Sequence, residues 1–314
     1  MAVQHFPDRL IERLPMVRGR LIENADLAKV TWFRVGGPAE VLFRPADKDD
    51  LKIFLQELPR EVTVTMLGIG SNTLIRDGGI PGVSIRLGDG FSEIETEDHL
   101  LQVGAGAPNL KIANAARDND LAGFEFLSGI PGGLGGSIRM NAGAFGGETG
   151  EVVVTVDGLT RTGEEVQFTR QDMGFSYRHS DAGADVIFTD ATLRGQAGDR
   201  DTIMRRMAEI CAERERSQPV KQATGGSTFV NPEGGTAWEL IDQAGCRGLR
   251  CGNAQVSEKH CNFLINQGGA SAADLEGLGE DVRRRVQDQT GIILEWEIKR
   301  IGVYANAGPR EVAS

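Results

Sequence analysis

Long apolar runs are missing from this chain of 314 residues. None approaches the roughly 18–20 residues of a membrane-spanning helix, so a helical membrane protein is not expected. The opening MAVQHFPDRLIERLPMVRGR is charged throughout and lacks the apolar core of a secretory signal. Cysteine is scarce: Cys211, Cys246, Cys251 and Cys261 are scattered, as in a protein with reduced thiols in the cytoplasm. The spacing of Cys246, Cys251, His260 and Cys261 matches no common zinc pattern, so no metal is expected and the cysteines read as small apolar packing residues. Basic residues are the minority, 34 against 45 acidic, for a net charge of −11. A chain so acidic is a poor general binder of nucleic acid. Glycine is what abounds: 42 of 314 residues, about 13%, against an ordinary value of roughly 7%. It is clustered without a period, which excludes collagen and suggests backbone passing close to a ligand.

The length predicts two or three domains, and 40% hydrophobic with 25% charged residues is ordinary globular composition. Leu10, Ile11 and Leu14 start an amphipathic segment. Residues 47–59 read as a helix capped by Asp47 and stopped by Pro59, and 109–120 as a second helix. Residues 62–67, 82–87 and 99–106 read as strands. A glycine-rich loop covers 129–147, too long for a simple turn. Strands follow at 151–160, 165–169 and 185–194, then a helix at 200–217. A third region has a loop (218–235), a helix (236–245), a strand near 261–266, a capped helix (271–290) and a closing strand (291–302). The order is α+β, with expected boundaries at 1–85, 86–217 and 218–304 and a loose tail over 305–314. Glu276, Glu280, Arg283 and Arg284 on the last helix read as a solvated i,i+4 face.

Two glycine loops carry the chemistry. LGIGSNTLIRDGG (67–79) follows a strand, yet it has no Walker lysine, and Thr73 stands where a Rossmann motif needs its third glycine. Successive N–H groups at Gly68, Ile69, Gly70, Ser71 and Asn72 can still form an anion nest. Alone, the segment also reads as a glycine-rich β-turn. The second loop, GFEFLSGIPGGLGGSIRMNAGAFGGE (123–148), is too apolar at Ile130, Leu134, Ile138, Met140 and Phe145 for a solvated linker. Buried without partners, its backbone would lose hydrogen bonds that a flat ligand with polar edges could supply.

This pair of loops closely resembles the bacterial UDP-N-acetylenolpyruvoylglucosamine reductases. FSYRHS (175–180), ATGGSTFVNP (223–232), AWELIDQAGCRGLRCGNAQVSEKHCNFLIN (237–266) and GIILEWEIKRIG (291–302) follow in family order. The resemblance implies an FAD-binding fold of the p-cresol methylhydroxylase/vanillyl-alcohol oxidase type, in two subdomains, with a C-terminal α+β substrate-binding domain. Only DAGADVIF lies between Ser180 and the next strand, so the chain resembles the shorter type, without the extra tyrosine loop. The implied cofactor contacts are Gly68–Asn72 together with Gly129, Ile130, Pro131, Gly132, Gly135, Gly136, Asn141, Ala142 and Gly143.

The resemblance also implies a reaction. Hydride from NADPH reaches, by way of FAD, the enolpyruvyl ether of UDP-N-acetylglucosamine, and protonation gives UDP-N-acetylmuramate, a peptidoglycan precursor. Charge building on the substrate needs a fixed cation, a proton donor and a polar group for the enol. The family motifs put Arg178, Ser227 and Glu297 in those roles. A guanidinium offers two parallel donors and keeps its charge. Strand alternation would turn Glu295 and Glu297 to one face. Tyr177, Asn231, Lys221, Lys259, His260 and Asn262 fall in or near matched motifs as substrate contacts, with Arg214 and Arg216 as further candidates for the diphosphate. The expected partners are this nucleotide-sugar and NADPH, with no nucleic acid and no membrane, and the chain is read as a cytoplasmic monomer.

Overall fold

The computed structural model describes residues 9–305. The first eight residues, and the expected tail apart from Ala305, lie outside the described residues. Leu10 opens a short 3-10 turn and packs, with Ile11 and Leu14 behind it, on the first sheet.

That sheet has four strands in the order Arg20–Asp26, Pro38–Arg44, Ile80–Arg86, Val64–Leu67. The first pair is antiparallel and the others are parallel. Helix α1 (Lys48–Glu57) covers one face, because Leu51, Phe54 and Leu55 recur at helical spacing and are buried. Asp47 caps it by accepting from the Asp50 N–H at 3.0 Å.

The second sheet is wholly antiparallel, in the order Glu165–Thr169, Val153–Leu159, Ile187–Arg194, Leu100–Gly104, Ile94–Glu97. Helix α2 (Asn109–Asp118) packs against it through Ile112, Ala113 and Ala116. The expected loop 129–147 is not all loop. It folds into helix α3 (Leu134–Arg139) and a small hairpin, Gly143–Ala144 with Gly147–Glu148. Its backbone bonds come from the protein: the Leu134 and Gly135 N–H groups donate to the Ala107 and Ala105 carbonyls at 2.9 and 2.8 Å. Four glycines in eight residues hid this turn of helix, since each weakens the local signal by about 1 kcal/mol. One helical turn, α4 (Thr149–Val152), precedes the strand expected from 151, and α5 (Arg200–Ser217) matches its expected limits.

The third sheet runs Ala223–Ser227, Phe263–Asn266, Ala254–Val256, Arg250–Cys251. Its first strand falls inside the expected loop 218–235, where ATGGS carries little β signal. Pairing with Phe263–Asn266 creates it, with a bulge between Thr224 and Ser227. Helices α6 (Ala237–Gln243) and α7 (Ala272–Thr290) close this core, which holds Cys246, Cys251 and Cys261 as small buried residues. Ser271 and Asp274 form a capping box on α7, and Gly291 ends it at φ 76°.

The expected closing strand 291–302 shrinks to Lys299–Ile301. Those residues pair in parallel with Thr73–Ile75, in the N-terminal part of the chain. Upstream, the Val230 N–H donates to the Glu295 carbonyl and the Glu297 N–H to the Thr228 carbonyl, both at 2.9 Å. The chain therefore changes partners midway, which local apolar patterning cannot reveal.

Candidate functional site

Leu67 ends a parallel strand, and the turn Gly68–Asn72 emerges beyond it. Among the described residues, none of the backbone N–H groups from Ile69 to Asn72 has an acceptor. That is an anion nest at the carboxyl edge of a sheet. Gly70 sits at φ 76°, and a Cβ there would meet the Val30 carbonyl at 2.5 Å, so glycine is required. Side chains brace the turn: Ser71 donates to the Pro131 carbonyl at 2.9 Å and Asn72 to the Glu297 carbonyl at 3.2 Å.

Opposite stands the segment Gly129–Ala144. The amide of buried Asn109 donates to the Ile130 carbonyl at 3.1 Å and to Ser137 Oγ at 2.8 Å, which ties the segment's start to α3. Both segments wall one cleft of about 370 Å³. Gly68 to Asn72 line it, as do Gly129 to Gly132, Gly135, Gly136, Ala142 and Gly143. A Cβ at Gly68 or Gly136 would find no protein atom within 4 Å, so these glycines face open cleft.

At one side of the cleft Arg178, Ser227 and Glu297 come together. Arg178 Nε donates to Glu297 Oε1 at 3.0 Å, and its Nη2 to the Gly143 carbonyl at 3.0 Å. The arginine projects from a tight turn in which Ser176 and His179 exchange backbone bonds, and its own φ is 56°. Burial pushes the Glu297 carboxyl above its ordinary range, although Arg178 pulls it the other way. Glu295, expected on the same face, is exposed instead, because no continuous strand exists here to impose alternation. Ser227 is half-buried, its hydroxyl without a protein partner among the described residues.

Other expected site residues lie elsewhere. Asn141 is fully buried behind the cleft: its amide donates to the Ser176 carbonyl at 3.0 Å and accepts the Gly150 N–H at 2.8 Å. Asn262 is buried too, both ends of its amide held by the backbone of Phe229 at 2.9 and 2.8 Å. Asn231 accepts the Ala237 N–H at the start of α6. His260 lies edge-on to Trp238 and Phe263, and burial lowers its pKa. Tyr177 is exposed, with the Arg178 guanidinium 5.0 Å above its ring. Lys221 and Lys259 line a separate cavity of about 580 Å³ between the end of α5 and the third sheet. Several cleft residues escaped the sequence reading, among them Arg139, Lys299 and Gln218. Arg139 stacks 4.2 Å from the Phe188 ring and donates to the Ala182 and Val186 carbonyls at 2.7 Å. Lys299 and Gln218 also reach the wall. Arg139, inside the glycine segment, was the one with a visible signal.

The cleft thus holds Arg139, Arg178 and Lys299 against the single acid Glu297, a positive spot on a chain of net charge −11. Glycine backbone, a nest of free N–H groups, apolar Leu67, Ile130, Ile187 and Phe188, and surplus positive charge fit a long anionic ligand with a flat ring. The donor set therefore fits FAD. Among the described residues no group of three His, Cys, Asp or Glu could hold a metal ion, and no helix is long and apolar enough to cross a membrane.

Fold and cleft together define an FAD-binding oxidoreductase with an α+β C-terminal domain. Residues 39–169 match the family model for the FAD binding domain, and residues 218–301 the model for the UDP-N-acetylenolpyruvoylglucosamine reductase C-terminal domain. The UDP-N-acetylenolpyruvoylglucosamine reductase of Methylorubrum extorquens is 57% identical, over 98% of this chain and 99% of that protein. That of Parvibaculum lavamentivorans is 54% identical, over 95% and 96%. The crystal structure of the Thermus caldophilus UDP-N-acetylenolpyruvylglucosamine reductase superposes with a TM-score of 0.77 at 34% identity, covering 91% of this chain and 99% of that one. The chain belongs to the UDP-N-acetylenolpyruvoylglucosamine reductase family.

Proposed function

We propose that the protein reduces the enolpyruvyl ether of UDP-N-acetylglucosamine to UDP-N-acetylmuramate in peptidoglycan precursor synthesis, with NADPH as reductant. The observation carrying this reading is the meeting of Arg178, Ser227 and Glu297 beside two backbone cradles. The chemistry that bound FAD supplies is two-electron hydride transfer from a nicotinamide to the enolpyruvyl methylene carbon. The cradles Gly68–Asn72 and Gly129–Gly143 would hold that cofactor. Arg178 presents a fixed guanidinium to the substrate carboxylate as negative charge grows there. Its bond to Glu297 limits its motion, so the cation is in place before reaction. Glu297, its carboxyl held above the ordinary range by burial, supplies a polar hydrogen-bonding group to the enol oxygens. The unengaged Ser227 hydroxyl gives a proton to the neighbouring carbon; the enolate is a strong enough base to need only a positioned O–H.

In stopped-flow mixing, the wild type should lose flavin colour with NADPH and regain it on addition of UDP-N-acetylglucosamine enolpyruvate. Ser227→Ala should bleach at the normal rate and turn over very slowly. Normal steady-state turnover in that variant removes Ser227 from the scheme.

A further inference from the structure

We propose that the side-chain amide of Asn72 is a positioning group for Glu297, which replaces a backbone rung so that one turn both keeps its N–H groups free and fixes the peptide carrying the acid. This rests on the reading that Glu297 serves the enol of the substrate. The closing strand pairs in parallel with Thr73–Ile75, Lys299 opposite Thr73 and Ile301 opposite Ile75. In that ladder the Arg76 N–H donates to the Ile301 carbonyl at 2.9 Å, and the Lys299 N–H to the Asn72 carbonyl at 3.1 Å. Parallel rungs recur every two residues along both strands. Carried back from Arg76 and Ile301 by four residues, the register calls for the Asn72 N–H on the Glu297 carbonyl. That bond is not made. The Asn72 N–H has no acceptor among the described residues, and the Asn72 side chain donates to the Glu297 carbonyl instead, at 3.2 Å.

The exchange leaves the last N–H of the nest pointing to the cleft and still closes the ladder. It also holds the Glu297 peptide from both sides. Its N–H donates to the Thr228 carbonyl at 2.9 Å, and Thr228 follows Ser227 and is fully buried. Its carbonyl accepts from Asn72. The Glu297 carboxylate in turn holds Arg178 at 3.0 Å. One run of bonds therefore relates the nest, the acid, the hydroxyl and the guanidinium, and Asn72 is the end of it that a side chain supplies. No other side chain bonds the Glu297 main chain among the described residues. The chemistry of the amide suits the place: it donates to a carbonyl, whereas an ionised aspartate of the same outline only accepts, and alanine does neither. Without the amide, the nearest tie to the first turn is the Lys299 N–H, two residues on, and the acid is free to shift against Arg178 and Ser227. Reduction of the flavin by a nicotinamide has no enol to hold, so the loss belongs to the second half-reaction.

The test times the two half-reactions of the purified holoenzyme separately by stopped flow, in Asn72→Ala and Asn72→Asp at pH 8. Bleaching by NADPH and retention of flavin on dilution should match wild type. Recovery of colour with UDP-N-acetylglucosamine enolpyruvate should slow at least about tenfold, because a displacement near 1 Å can cost about a hundredfold. Hydrogen exchange of the flavin-free protein gives a readout apart from activity: the peptide 296–301 should exchange faster in both variants, and 153–159 in the second sheet at the wild-type rate. Should these variants fail to fold, Asn72→Gln keeps the amide one methylene further out and is expected to slow the same half-reaction. Wild-type recovery of colour in the Asn72 variants overturns the proposal. So does equal slowing of both half-reactions, or loss of flavin with normal recovery per bound flavin, either of which returns Asn72 to the cofactor. Glu297→Ala separates the two readings. Wild-type recovery in that variant overturns the role of Glu297 itself, whereas slow recovery there beside fast Asn72 variants overturns only the positioning by Asn72.

Discussion

Arg178 occupies a left-handed backbone position that most side chains avoid, at φ 56°, and three contacts hold it there. Its partners are the acid Glu297, a cradle carbonyl and the Tyr177 ring. Losing a pre-aimed charge of this kind costs about 3–4 kcal/mol of barrier. Arg178→Ala and Glu297→Ala are therefore each expected to lose at least about a hundredfold in turnover. Steady-state rates near wild type in either variant would exclude that residue from the reaction. The cysteines allow a separate check. Cys211 is exposed, whereas burial pushes the thiols of Cys246 and Cys261 from 9.0 up to about 11. A thiol reagent at pH 8 should label one cysteine in the native protein and four in denaturant. Folded thiols that hold protons more tightly than unfolded ones do not change stability below pH 9.0. From there to about pH 11 the unfolded chain ionises first, so these two groups make stability fall as pH rises. Replacing Cys246 by Ala should flatten that part of the denaturation profile.

The elements that matter most are the ones held by other elements. The turn carrying Arg178 is fastened to the glycine segment by the amide of Asn141, which bonds the Ser176 carbonyl on one side and the Gly150 N–H on the other. The FSYRHS motif identified the arginine, but nothing in the sequence told a cofactor contact at Asn141 from a brace behind the cleft. Asn141→Ala should strand one buried backbone group, the Gly150 N–H, at about 1–3 kcal/mol, and cut the tie to the Ser176 carbonyl, which keeps its bond from the His179 N–H. The expected result is a folded, flavin-containing protein with a lower melting temperature and turnover reduced at least about tenfold. Loss of flavin with turnover per bound flavin unchanged would return Asn141 to the cofactor. Helices with full amphipathic stripes and caps, such as α1, α5 and α7, were legible to within a few residues, because local bonds and one apolar face suffice to define them. The turn α3 and the strand Ala223–Ser227 were not, since their glycines favour neither structure until neighbours supply the bonds.

Across the whole molecule, the last helix and the closing strand are locked to the segment Thr73–Asp77 in the N-terminal part of the chain. Asp77 accepts the Ala272 and Ala273 N–H groups at the start of α7, both at 2.9 Å. Arg76 forks onto Glu276 at 2.9 and 3.0 Å, and Arg300 and Tyr304 reach the same carboxylate at 3.2 Å. Glu276 is only 1% exposed, so the solvated face expected on this helix is, at that position, an interdomain ion network. The i,i+4 spacing misled because Arg76 lies 200 residues away. Removing one member of a buried pair leaves the other charge uncompensated, so Glu276→Ala should destabilise the protein by about 3–5 kcal/mol. A loss of unfolding free energy in urea titration smaller than about 1 kcal/mol would mean that the network is solvated in solution. Because Lys299 lies on the strand this network anchors and Glu297 just before it, the variant should also slow turnover.

Sequence by itself determined the periodic helices and four of the five strands of the second sheet, and through its motifs it pointed to the two glycine segments and to Arg178, Ser227 and Glu297 as the site. These depend on local spacing, or on motifs long enough to name a family. Only the tertiary structure decided that Glu297 faces Arg178, that Asn141 and Asn262 serve the backbone, and that the chain end returns to Thr73–Ile75. Each of those facts is a bond between groups tens to hundreds of residues apart. Its energy depends on distance and burial, neither of which is written in the order of the residues.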